Sequence, residues 1–127
     1  MFTNKPEEAV QAFFDAFNRG DIDTAIALYE PKATLVAQPG QIAEGHAAIR
    51  EALNGFLAMK PTLTPEKKTL VAAGDIALSV VRWTLNGTGP DGAPVRMDGV
   101  TSDVLRRQVY GRWLFVIDNP WGAGVLG

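Results

Sequence analysis

Apolar positions recur along this chain in two periods, and the change from one to the other divides it. Val10, Phe13, Phe14 and Phe17 stand at i, i+3, i+4 and i+7, which is one stripe of an amphipathic helix. Pro6 and Glu7–Glu8 suit its first turn, Thr3 or Asn4 its cap, and Asn18-Arg19-Gly20 its end, with glycine just past the last turn. Asp21 caps a second, short helix over Ile22–Tyr29, which Pro31 keeps from running on. Ala33–Gln38 reads as a short strand closed by the Pro39-Gly40 turn. Glu44-Gly45-His46 then leads into a third helix, Ala47 to Met59, with Ile49, Leu53, Phe56 and Leu57 on its apolar side. His46 reads as a residue of its first turn.

Beyond Lys60-Pro61 the period falls to two and everything reads as strand: Thr62–Ala72, then Asp75–Asn86 after the Ala73-Gly74 turn. Met97–Trp121 reads as two long strands joined at Gln108–Gly111. Asn86–Gly92 is a loop between strands, and its glycines lack the following helix that a phosphate cradle needs. Helices first and long antiparallel strands afterwards make an α+β order, in a chain expected to form a single domain over residues 1–127. The strand around Val80 is apolar on both faces, Ile76, Leu78 and Val80 against Ala77, Val81 and Trp83. One face is expected to meet the helices and the other a second copy of the sheet, giving a homodimer through Val104, Trp113, Phe115 and Ile117. Arg82, Arg96, Asp98 and Arg106 then form charge pairs on that outer face.

The terminal hairpin carries the candidate chemistry. Thr101, Asp103 and Leu105 share one face of its first strand. A connection of two or four residues pairs odd positions with even ones, so Thr101, Asp103, Val116 and Asp118 look the same way. Acids among valines and leucines fit either a solvated sheet face or a pocket wall.

Composition narrows the classes. The 127 residues, 46% hydrophobic and 20% charged, suit one globular core. A formal charge of −2 with no basic block offers nothing to nucleic acid. No apolar run approaches the roughly 20 residues of a membrane span, and the N-terminus does not read as a secretory signal. A cytoplasmic location is expected. With no cysteine and only His46, no thiolate or histidine-rich metal site is available and no cofactor is expected.

Three stretches resemble a known family: Phe13 to Thr34 with its Asn18-x-Gly20-Asp21 element, Gly45-His46-Ala47-Ala48-Ile49-Arg50-Glu51, and the terminal Gly111-Arg112-Trp113 hairpin. They are similar to the ketosteroid isomerase branch of the nuclear-transport-factor-2-like superfamily, which includes the SnoaL-like cyclases. The resemblance spans essentially the whole chain. It implies a cone-shaped curved antiparallel sheet wrapped around three N-terminal helices, with a deep apolar pocket. It also implies that Ser79, Val81, Trp83 and Leu85 face the cavity from the sheet, and Phe13, Phe17 and Phe56 from the helices. Of the isomerase residues, the resemblance puts Gln38, or Ala37 if no gap is allowed, in place of the proton-shuttling carboxylate, and Phe13 in place of the oxyanion-binding tyrosine. The third, an aspartic acid kept neutral by its apolar site, matches Asp103. At Ile117 and Asn119, SnoaL-like proteins commonly have histidine.

Two functions are therefore carried forward. One is a cofactor-independent isomerase, cyclase or dehydratase for an apolar or cyclic small molecule. Asp103 and Asp118 would be its acid–base pair, with Phe13, Phe17, Gln38, Phe56, Trp83, Thr101, Val116 and Asn119 around the ligand. The other is a non-catalytic ligand-binding or scaffolding dimer.

Overall fold

A computed structural model describes residues 4–127. The chain runs through helices α1 (Pro6–Asn18) and α2 (Ile22–Ala27), strands β1 (Tyr29–Gln38) and β2 (Gln41–Glu44), and helix α3 (Gly45–Leu57). Five strands follow, β3 (Thr62–Ala73), β4 (Ile76–Thr88), β5 (Pro94–Val100), β6 (Asp103–Arg107) and β7 (Trp113–Asp118), and a 3₁₀ turn at Gly122–Leu126 closes the chain. The seven strands form one open sheet in the order β2-β1-β7-β6-β4-β3, with β5 also paired to β4. The α+β architecture is the expected one. All of its pairs are antiparallel except β1 with β7, so the sheet is mixed.

The helices end where their residues dictate. Gly20 adopts φ +71, a conformation that costs other residues a steric penalty, and it stops α1. The Asp21 carboxylate accepts the Thr24 N–H at 3.2 Å and caps α2. The start of α1 differs from expectation: its cap is Lys5, whose N–H donates to the Glu8 carboxylate, and Thr3 lies outside the described residues. Asn18 fastens α1 to the sheet, since its side-chain amide donates to the Leu63 carbonyl at 2.8 Å and accepts the Leu63 N–H at 2.7 Å. Val10, Phe14 and Phe17 of α1 and Ile49 and Leu53 of α3 are buried against the concave sheet face. Each large apolar side chain buried there contributes about 1.5–3 kcal/mol.

Four departures from the sequence reading change what faces the core. The second helix ends at Ala27, and Tyr29 begins a strand instead. The short strand β2 pairs with β1 where only a turn is expected. The long strand from Met97 is two pieces, β5 on one half of β4 and β6 on the other, interrupted at Thr101–Ser102. The connection between β6 and β7 spans residues 108–112, one more than expected, closed by the Gln108 N–H donating to the Arg112 carbonyl at 2.8 Å. Five residues pair odd with odd, so Leu105 lies opposite Phe115 and Arg107 opposite Trp113.

A bulge at Val116 then restores the other parity, and Val104 lies opposite Ile117. Phe115 and Trp113 are accordingly buried in the core and not exposed on the outer face. Val116 sits in the bulge, half-buried.

Candidate functional site

The same register change brings the two acids together. Val104 opposite Ile117 sets Asp103 opposite Asp118 one step further along the antiparallel pair, on the concave side. Both are buried, at 4% and 7% exposure, without a cationic partner among their hydrogen bonds. β1 lies on the other side of β7, with Leu35 level with Asp118 and Tyr29 further back. From there the buried Tyr29 hydroxyl donates to the Asp118 carboxylate. The Asn119 N–H donates to Asp103 Oδ1 at 2.9 Å, and the Thr101 hydroxyl lies within hydrogen-bonding reach of the same carboxyl.

These contacts decide where the proton sits. Burial raises the Asp103 pKa well above the carboxylate range, the Asp118 charge and their mutual hydrogen bond raise it further, and Thr101 and Asn119 oppose the rise. Burial also raises Asp118, while the bonds from Tyr29 and Asp103 hold it down. Both carboxyls are therefore held above the usual carboxylate range, Asp103 by burial and the neighbouring Asp118 charge together. Burial followed by the Asp118 charge drives Tyr29 well above its usual value, so its phenol stays neutral and donates.

In front of the carboxyls is a chamber of ≈ 80 Å³. One water requires about 10–15 Å³ of such space, so the chamber admits several waters or a compact apolar group. Phe13 and Phe17 of α1 and Phe56 of α3 line it from the helices, and Trp83, Leu85 and Phe115 from the sheet. Phe13 is the hub of an aromatic cluster, with ring centres 5.9 Å from Phe17, 6.0 Å from Tyr29 and 5.8 Å from Phe115.

Trp83 lies across Gly99 of the neighbouring strand, and its indole N–H donates to the Pro120 carbonyl at 2.8 Å. Trp121 meets Trp83 edge-on at 5.7 Å and donates to the Val36 carbonyl at 3.0 Å. The segment after β7 thus forms one wall.

Of the residues expected around a ligand, Phe13, Phe17, Phe56, Trp83, Thr101, Asp103 and Asp118 line the chamber. Three do not. Val116 is displaced by the bulge and Phe115 takes its place. Gln38 is exposed at the end of β1, outside the chamber. Asn119 acts through its main chain, because its side chain is engaged with the Gly122 carbonyl at 3.2 Å and the Trp121 N–H at 3.3 Å.

Ser79 and Val81 are buried beside the chamber without lining it. His46 points its Nε2 at the Tyr29 carbonyl, 2.8 Å away, and so supports the residue that holds Asp118.

Tyr29, Phe115, Met97 and Trp121 are not among the site residues expected from the sequence. For Tyr29 a signal exists: the inward alternation Leu35, Ala33 extends backwards past Pro31 to residue 29.

Residues 10–113 match the family model of the SnoaL-like domain, and the chain belongs to that family. Its fold is similar to that of a nuclear transport factor 2-like superfamily protein from Salmonella enterica, with a TM-score of 0.78, 19% identity, and coverage of 93% of this chain and 90% of that one. A candidate dehydratase of the NTF2-like family from Streptomyces avermitilis aligns with a TM-score of 0.74 at 21% identity over 87% of this chain and 89% of its own. A candidate ketosteroid isomerase from Shewanella frigidimarina aligns with a TM-score of 0.74 at 20% identity over the same shares, 87% and 89%. Identities this low establish the fold alone. By sequence, no curated protein matches the chain. Among the described residues, no helix is long and apolar enough to cross a membrane.

Proposed function

We propose that residues 1–127 work as one SnoaL-like domain that binds an apolar small molecule in the chamber and moves a proton on it with Asp103 and Asp118. The observation that carries this reading is the pair of opposed, buried carboxyls at the wall of an aromatic chamber. Burying two acids without a cation is costly for a fold, and a proton-transfer role supplies a reason to retain them. Charge repulsion and burial separate their proton affinities, leaving one group to give and one to take.

A ligand carbonyl oxygen placed beside Asp103 accepts its proton, which frees the Asp118 oxygen that had shared it. Asp118 takes a proton from the carbon next to that carbonyl, leaving a neutral enol. Where a carbon–carbon double bond is conjugated with the enol, returning a proton to the far carbon of that bond as the carbonyl re-forms gives an isomer; if a β-hydroxyl leaves instead, the enol O–H proton departs with it as water and dehydration results. Tyr29 holds Asp118 in place and donates to its charged form.

The test is hydrogen exchange. Cyclic ketones are incubated with the protein in deuterium oxide, and exchange at the carbon next to the carbonyl is followed by NMR. Exchange that requires the native protein and disappears in Asp118→Asn supports the reading. Ligands that raise the melting temperature but never exchange would favour the alternative, a non-catalytic binding domain.

A homodimer through the outer sheet face belongs to the same proposal. Val71 pairs with Leu78, Leu78 with Val104 and Val104 with Ile117, so one apolar row crosses four strands. Val71, Leu78 and Ile117 are 63%, 43% and 42% exposed, which is a long apolar row to leave in water.

A further inference from the structure

A second cavity of ≈ 690 Å³ lies outside the chamber, between α3, the β1–β2 hairpin and β5. Ala48, Ala52 and Gly55, spaced four and three apart on α3, keep it open, and Ala43 of β2 faces them across it. Phe56 and Met97 line both the outer groove and the chamber, so they form a neck between the two.

Sites that enclose a drug-sized ligand measure roughly 300–1,000 Å³. The chamber's ≈ 80 Å³ is well short of that, whereas the groove's ≈ 690 Å³ is within it.

Charge limits the occupant as well. Among the described residues, no lysine, arginine or histidine lines either space, and the ionisable groups present are Asp103 and Asp118 inside and Glu51 outside. A carboxylate or phosphate on the ligand would find three acids and no cation among these lining residues. Gln38 and Gln41 at the groove rim offer amides to a neutral polar group.

We infer that chamber and groove form one composite site for an elongated, non-anionic molecule, with a compact ring at the carboxyl pair and a tail that passes Phe56 and Met97 to lie along α3. This rests on the ligand-binding reading above and adds the length and charge of the ligand.

Phenol, 4-butylphenol and 4-octylphenol serve as probes, with 4-octylbenzoate as the anionic control, each titrated by calorimetry. Affinity should rise roughly two- to fourfold per added methylene as the tail enters the groove. Gly55→Leu fills the groove: an added Cβ meets no atom within 4 Å, and leucine is the better helix former. The variant should cancel the gain of 4-octylphenol and leave phenol unchanged. 4-Octylbenzoate should bind at least tenfold more weakly than 4-octylphenol.

If phenol binds and chain length adds nothing, or if Gly55→Leu weakens phenol and 4-octylphenol equally, the composite site is wrong and the chamber reading stands. If no phenol binds, both fall. Equal binding of the benzoate overturns the charge assignment. A thermal melt shows whether Gly55→Leu is folded, and if it is not, the length series in the native protein decides alone.

Discussion

The Tyr29 hydroxyl donates to the Asp118 carboxylate, joining residues 89 positions apart in the chain. The next residue points the other way: on the outer face Glu30 accepts two hydrogen bonds from the Arg106 guanidinium, at 2.9 and 3.1 Å. The first two residues of β1 therefore clamp it to β7 inside and β6 outside. A hydrogen bond to a charged group is worth about 1.5–3 kcal/mol, so Tyr29→Phe should lower unfolding free energy by that amount in urea. The lost donor is also one of the two bonds that hold the Asp118 pKa down. The variant's Asp118 value should rise, and its stability should fall more steeply with pH than the native protein's. An unchanged urea midpoint at pH 7 would mean that the bond contributes nothing.

How much of this was legible in the sequence can be traced residue by residue. The helical stripe from Val10 to Phe17 and the Asp21 cap depend on local chemistry and were readable, as was the α+β order. A shared face for Asp103 and Asp118 was also expected, but their position opposite one another arises from two successive departures. The turn is one residue longer than expected, and the bulge at Val116 adds a second residue, which restores the parity with the register moved on by two. The residues between the two exchange faces: Trp113 and Phe115 turn inward, and Val116 leaves the inner face. A bulge is set by packing against both neighbouring strands and leaves no reliable local mark. Tyr29 was missed because a proline two residues on reads as a helix stop, whereas here it lies within a strand.

Asp103 provides the pH prediction. Its folded-state pKa is raised, first by burial and then by Asp118, above an unfolded value of about 3.9. A raised acid binds its proton more tightly when folded. The stability linked to that proton is complete below the unfolded value and is lost as pH rises through the folded one. Asp103→Asn keeps the shape, can still accept the Asn119 N–H and donates an amide hydrogen where the carboxyl proton was. The variant should match the native protein near pH 4 and exceed it at pH 8 in urea midpoint, while ligand exchange is lost. If Asp103→Asn is the less stable protein at pH 8, the carboxyl is charged and paired, and its assignment as proton donor fails.

Gly99 should prove intolerant of even one added carbon. A Cβ at this position would lie 2.9 Å from Cζ2 of Trp83 and 3.2 Å from the Pro120 carbonyl oxygen. The same edge of the Trp83 indole is tied to Pro120 by its N–H, so moving the ring away from the added carbon would disturb that bond. Gly99→Ala should cost about 1–3 kcal/mol, the range for overpacking a filled site, and should shift Trp83 fluorescence. A variant with native stability and an unchanged spectrum would show that the indole packs more loosely than described.

Leu78 is the residue on which the dimer proposal is most directly tested. It sits in the apolar row on the outer face, between Val71 on β3 and Val104 on β6. A stable interface of standard size buries about 1,200–2,000 Å² in total, and a row four strands wide can form the centre of such a patch. The side chain points away from the core, so a charge there costs the isolated fold little. In a self-complementary interface each substitution occurs twice, and two lysines facing apolar partners would be buried without counter-ions. The native protein should therefore sediment at micromolar concentration at twice its 13.7 kDa chain mass. Leu78→Lys should sediment at the chain mass with an unchanged circular dichroism spectrum. A native protein that sediments as a monomer, or a Leu78→Lys protein that remains dimeric, would place the contact elsewhere or remove it.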